Sequence, residues 1–357
     1  METIWYCLVA VMIAVYVVLD GFDLGAGIVH LFVARTEGER RAVLGSIGPV
    51  WDGNEVWLLA GGGTLYFAFP ALYASSFSGF YLPLMIVLWL LILRGISIEF
   101  RNHIQSLVWQ PLWDVVFAGG SALLAVFFGA ALGNVVRGVP LDRSGEFFLP
   151  LWTDFTAGKD TGILDWYTLL IAIAALLTLA VHGSLWVALK TEGAVEARAC
   201  RLAQSVWWGL LAWVVPITFA SFRIQPHLKQ SFAAHPWGYV FPLLAIVGLI
   251  GIRVLGGVRG GLDAFLCSCL FILGMLTSAA FGIYPYVLPS NADPSLGLTV
   301  HNSAAPLYGL QVGLMWFIPG TLLACGYFVY TYRSFSGKVK RKRQTNPSVP
   351  AMNLMMK

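Results

Sequence analysis

The stretch IWYCLVAVMIAVYVVLDGFDLGAGIVHLFV, residues 4–33, decides the fold. It exceeds the ~18 to 20 apolar residues with which a helix, rising ~1.5 Å per residue, crosses a ~30 Å hydrocarbon core. Strict apolar and polar alternation is absent, and lipid requires every backbone polar group to be satisfied within the segment. The run therefore reads as a membrane-spanning helix. Two acids interrupt it. Asp20 and Asp23 are three residues apart, so on a helix both carboxylates point to one face. An acid at that depth costs ~2.5 to 3.5 kcal/mol on insertion scales, and such groups are candidates for proton or ion handling. The competing reading makes them partners of a basic group, or caps of a helix break at Gly21.

The remainder of the chain has the same character. With 58% hydrophobic and 11% charged residues among 357 and a mean hydropathy of +0.75, it cannot present a solvated surface as a soluble protein. An all-α, polytopic transmembrane helix bundle is expected. About nine spans are read, roughly 4–33, 52–70, 75–93, 112–134, 164–189, 204–222, 238–257, 262–285 and 306–332, with a tight connection near Ala74 and Ser75. The opening METIWYCLVA has no basic leader and no small-residue cleavage site, so it reads as a retained first span.

Lys and Arg set the orientation. With the first loop in the cytoplasm, that side collects Arg35, Arg40, Arg41, Arg94, Arg101, Lys190, Arg198, Arg201, Arg253, Arg259, Arg333 and the tail KVKRKR. The other side receives Arg137, Arg143, Lys159, Arg223 and Lys229. The N-terminus is thus expected outside and the C-terminus in the cytoplasm, with residues 1–333 an integral membrane domain and 334–357 a basic cytoplasmic tail. The net charge of +4 is a topology signal and gives no reason to expect nucleic-acid binding. The longest hydrophilic stretch, Val135 to Asp165, reads as an ordered external loop. Cys267 and Cys269 point to different helix faces, and Cys7, Cys200 and Cys325 are scattered, so neither a disulfide framework nor a metal site is expected. Gly21, Gly25, Gly27 and Gly61 to Gly63 suit close helix packing.

A second pair of acids follows in WDGNEVW, residues 51–57. Asp52 and Glu55 repeat the spacing just after Pro49, which can open a helix whose first turn favours acids. Trp51 and Trp57 suit a membrane interface, and Asn54 lies between them. All four acids map to the cytoplasmic half, which points to a proton entrance. Arg94, Glu99 and Arg101 in LRGISIEFRN read as a salt-bridged, snorkelling helix end that can also anchor those acids. Among the histidines, His227, His235, His103 and His301 fall in loops or near a span end. His30 and His182 lie at membrane depth with no recognisable partner, so haem held by this chain alone is not expected.

The strings DGFDLGAG, WDGNEVW followed by WLLAGGGTLYFAFP, FSGFY, LRGISIEFRN, GNVVRGVP and YPYVLPS occur in that order. Together they closely resemble subunit II of the cytochrome bd ubiquinol oxidases, from about Asp20 to the final span. The resemblance implies a terminal oxidase of the bacterial cytoplasmic membrane that oxidises quinol and reduces dioxygen to water. It further implies b-type and d-type haems held by a partner, subunit I, and in some members a structural quinone in subunit II or a small single-helix third subunit. The family's proton route uses an acid matching Asp52, with a second matching Asp23. Asp20 and Glu55 are added here by position; other members carry Glu in place of Asp52, and Gln or His in place of Glu55. Against this stand two alternatives, a proton-coupled secondary transporter using the same carboxylates and a purely structural membrane subunit.

Overall fold

The computed structural model describes residues 1–158, 161–256 and 261–339. Lys159, Arg259 and the tail beyond Val339, on which part of the charge argument falls, lie outside the described residues. The chain forms twelve α-helices among the described residues. These are α1 (Glu2–Val33), α2 (Glu37–Ile47), α3 (Trp51–Ala68), α4 (Pro70–Gly79), α5 (Tyr81–Phe100) and α6 (Trp109–Arg137), then α7 (Trp166–Lys190), α8 (Ala194–Ile224), α9 (His227–Ala234), α10 (Val240–Leu255), α11 (Leu262–Ile283) and α12 (Leu307–Ser334). A small antiparallel pair, β1 (Tyr286–Leu288) with β2 (Leu298–Thr299), closes the α11–α12 connection.

Among the described residues eight helices are long and apolar enough to cross a membrane: α1, α5, α6, α7, α8, α10 with its preceding turn (Pro236–Leu255), α11 and α12. The ninth expected span, α3, is 18 residues long, but Asp52, Asn54, Glu55 and four glycines dilute its hydropathy. The expected span 75–93 is corrected. Pro70 opens the separate helix α4, which runs unbroken past Ala74 and Ser75, and the chain bends at Phe80 before α5 begins. Ser75 is buried within α4, where its hydroxyl donates to the Gly145 carbonyl.

Local chemistry marks several ends. Thr36 and Glu39 form a reciprocal capping box at the start of α2, and Asp165 accepts from the Tyr167 and Thr168 amides at the start of α7. The core is built around α1, which packs on α3, α6, α7, α8 and α11. At its crossing with α7 the backbones touch: a Cβ on Gly25 would fall 2.6 Å from the Gly183 Cα. Only glycine fits on both sides of such a crossing.

The alternating helices gather residues 34–50, 101–108, 191–193 and 335–339 at one end of the bundle, hereafter the α2 end. There Arg198 donates to the Val33 carbonyl at 2.7 Å and Lys190 to the Phe335 carbonyl at 2.8 Å. The opposite end holds the 138–165 loop, α9 and the strand pair. It is tied by Val139 N–H to Pro289 O at 3.0 Å and by a buried knot in which Arg137 pairs with Asp165 and donates to Asn134 Oδ1 at 2.7 Å.

Candidate functional site

The buried acids are held by three helices. Asp20 on α1 is 0% exposed and forms a two-point ion pair with Arg94 of α5, Nη2 to Oδ1 at 2.6 Å and Nη1 to Oδ2 at 3.2 Å. The Tyr16 hydroxyl, one turn earlier on α1, donates to Asp20 Oδ2 at 2.9 Å. A bidentate guanidinium–carboxylate pair with a further donor is the geometry in which a buried ion pair can offset its desolvation. Glu55 of α3 approaches the same guanidinium at 3.7 Å, with a quarter of its side chain exposed.

Asp23 is built differently. It is 0% exposed, and the Asn54 amide donates to its Oδ2 at 2.7 Å. Among the described residues its Oδ1 has no hydrogen-bond partner and no ion pair reaches it. Asp52, in the first turn of α3, is exposed. The four acids therefore grade from exposed Asp52 through Glu55 to buried Asp20 and Asp23, with one guanidinium shared between Asp20 and Glu55.

The residues read as support, Glu99 apart, divide between two clusters. Trp51 is buried in the main core, and the Trp57 ring lies 5.5 Å from that of Phe328 on α12. Arg94 is not a snorkelling helix end: it is 0% exposed, because α5 starts later than expected and continues to Phe100, which carries Arg94 into the bundle. Glu99 is exposed and stands outside the cluster. Arg101 belongs to a second ionic node at the α2 end. There it pairs with Asp114 of α6 at 2.6 Å and with Glu37 of α2 at 2.7 Å. Asp114 also receives Arg40 at 2.9 Å and His30 Nε2 at 2.7 Å. Nearby, Glu39 pairs with Arg198 of α8 at 2.7 Å. Burial would raise the Glu39 carboxyl, but Arg198 and the backbone N–H groups of Arg35 and Thr36 bring it down to about 2.

The sequence reading missed Tyr16, Asp114, Glu37, Glu39 and Tyr332. Tyr16 lies four residues before Asp20, and Asp114 is an acid opening an apolar run, the signal already used for Asp52. Tyr332, whose hydroxyl donates to Asn54 Oδ1 at 2.9 Å, carries no local signal, since the contact joins residues far apart in sequence.

The histidines at membrane depth do not fit haem ligation. His182 uses both ring nitrogens, Nε2 toward Val18 O at 2.9 Å and Nδ1 with Ser268 Oγ at 2.7 Å. His30 commits Nε2 to Asp114, and its whole ring is packed at 0% exposure beside Phe117. Among the described residues no group of three or more His, Cys, Asp or Glu is placed to hold a metal ion.

Fold and site together define a multi-pass, all-α membrane protein with a graded set of carboxylates near one end of its bundle. Residues 1–335 match the family described as cytochrome bd terminal oxidase subunit II, and the chain belongs to that family. It is similar to the probable cytochrome oxidase subunit 2 of Haemophilus influenzae, at 31% identity covering 94% of each chain. It is similar also to cytochrome bd ubiquinol oxidase subunit 2 of Bacillus subtilis, 28% identical over 96% of this chain and 98% of that one. Cytochrome bd-I ubiquinol oxidase subunit 2 of Escherichia coli is 28% identical over 95% of each. The fold matches the bd oxidase of Geobacillus thermodenitrificans with a TM-score of 0.72 at 17% identity, covering 94% of this chain and 98% of that chain. The protein is thus a bd-type oxidase subunit, part of an oxidoreductase complex, and a multi-pass protein of the bacterial inner membrane.

Proposed function

We propose that this chain partners a haem-bearing subunit I in a quinol:dioxygen oxidase and supplies part of the route by which cytoplasmic protons reach the dioxygen site. Asp52 takes protons from the α2 end, Glu55 and the Arg94–Asp20 pair set the local field, and Asp23 holds a transferred proton at its free Oδ1. Water bridges the gaps between side chains. The observation that carries the reading is the gradient itself: acids one turn apart on α3, exposed then half-buried, lead to two fully buried acids on α1, one of them in no ion pair among the described residues. A buried carboxylate lacking a cation is a natural place to hold a proton, because the neutral acid avoids the burial of an uncompensated charge.

The chain's course also supports a cytoplasmic α2 end. Arg35, Arg40, Arg41, Arg101, Lys190, Arg198, Arg201, Arg253 and Arg333 fall there, against Arg137, Arg143, Arg223 and Lys229 at the other end. Protons consumed in dioxygen reduction would then come from the cytoplasm, while quinol releases its own outside. Charge separation of this kind generates a proton-motive force without a pump. Haem supplies the redox chemistry when bound by the partner; this chain's residues move protons and hold the geometry. The test is Asp52→Asn in the whole complex. Quinol oxidase turnover is expected to fall while assembly and haem content stay intact, and normal turnover in the assembled variant contradicts the entrance role.

A further inference from the structure

We infer that Tyr332 is a positioning residue for Asp23, acting through the Asn54 amide; this inference rests on the proton route proposed above. Asn54 is 0% exposed, and its amide is satisfied from two helices. The two N–H donors of Nδ2 are directed at α1, one to Asp23 Oδ2 at 2.7 Å and one to the Leu19 carbonyl at 3.3 Å. A backbone carbonyl can only accept, so Leu19 fixes the nitrogen toward α1 and turns Oδ1 away from it. Oδ1 is then a buried acceptor in need of a donor. Tyr332 of α12 provides one at 2.9 Å, which commits its single hydroxyl proton to Asn54.

The contact is a specific inward reach. Within its membrane-spanning window α12 has 0% of its residues buried, yet the Tyr332 ring is seated among Phe22, Trp186 and Phe328, at centroid distances of 6.5, 6.3 and 6.3 Å. The aromatic packing fixes where the hydroxyl points. Among the described residues Asp23 has only the Asn54 amide for a side-chain partner, on Oδ2, and its Oδ1 has none. The placement of that carboxyl therefore depends on the amide, and the amide on the tyrosine. Removing the hydroxyl leaves Asn54 Oδ1 buried and unsatisfied, which favours rotation or displacement of the amide and a changed hydrogen bond to Asp23.

The test uses the complete oxidase complex. Tyr332→Phe keeps the ring and removes the donor. Assembly and haem content are expected to be retained, turnover to fall several-fold, and the pH profile of turnover to be displaced. In infrared difference spectra the carboxyl band that Asp23→Asn abolishes is expected to shift. Tyr330→Phe removes a hydroxyl from an exposed position of the same helix, and is expected to leave the profile and the band in place. A fluorinated tyrosine at position 332, a stronger donor, is expected to shift the band in the opposite sense and serves if the Phe variant fails to assemble. An unmoved band and an unmoved pH profile in Tyr332→Phe overturn the inference, as does an equal shift in Tyr330→Phe. Normal turnover in Asp23→Asn overturns the proton route instead, and the band shift still decides the positioning role.

Discussion

Asp20 and Asp23 sit one turn apart on the same helix, yet their surroundings give them different chemistry. Asp20 is bound at both oxygens by Arg94, whereas Asp23 meets an amide and leaves one oxygen free. Removing Arg94 alone should strand a buried carboxylate, a change that costs about 3 to 5 kcal/mol. Arg94→Gln is thus expected to lower the yield and thermal stability of the assembled complex, and Arg94→Gln with Asp20→Asn to recover part of the loss. Equal instability in the single and double variants contradicts the pairing. The acids were legible in the sequence because a charge in an apolar run is costly and must be held by a partner or used. Their partners were less so: hydropathy ends the span at Arg94 and makes it look like a helix end, and Tyr332 is brought to Asn54 only by the tertiary fold.

Among the elements, α2 shows how a short polar helix is fastened to the bundle. Its capping box is completed by Glu39, whose carboxylate also meets Arg198 of α8, and its Glu37 meets Arg101 after α5. The Glu39 carboxyl lies at about 2 in the folded protein, below its ordinary value of 4.5. A depressed carboxyl stabilises the fold above its unfolded pKa, and that contribution is lost as pH falls from the unfolded value toward the folded one. Wild-type protein should therefore melt above Glu39→Gln at neutral pH, and the gap should narrow as pH falls from about 5 to about 3. Thermal melts of the complex across that range check it; a gap independent of pH contradicts the assignment. The break between α4 and α5 had a readable sign in Gly79 and Pro83, since proline is tolerated in a first helical turn. Hydropathy alone ran through it.

At the scale of the whole molecule, the apolar composition settled the architecture, and the order of many short motifs settled the family. Composition could not show which helix is central. That follows from glycines at backbone contacts such as Gly25 against Gly183, where absent side chains set the packing. Nor could it separate α3 from the long apolar spans, because the polar residues that lower α3's hydropathy are the ones that face the acid cluster. The two engaged nitrogens of His182, and the Asp114 contact and complete burial of His30, yield a further expectation: this chain purified alone shows no haem absorbance, and a stoichiometric haem spectrum from it contradicts the assignment of the redox centres to the partner.

The central claim is that protons for dioxygen reduction enter at the α2 end through Asp52 and pass Asp23. Its most direct test is sided proton uptake, measured with a pH-sensitive dye on each side of liposomes holding the oriented oxidase complex when the reduced complex meets dioxygen. Uptake is expected from the α2 side in the wild type, strongly slowed in both Asp52→Asn and Asp23→Asn at unchanged haem content. Uptake from that side at the wild-type rate in both variants would contradict it.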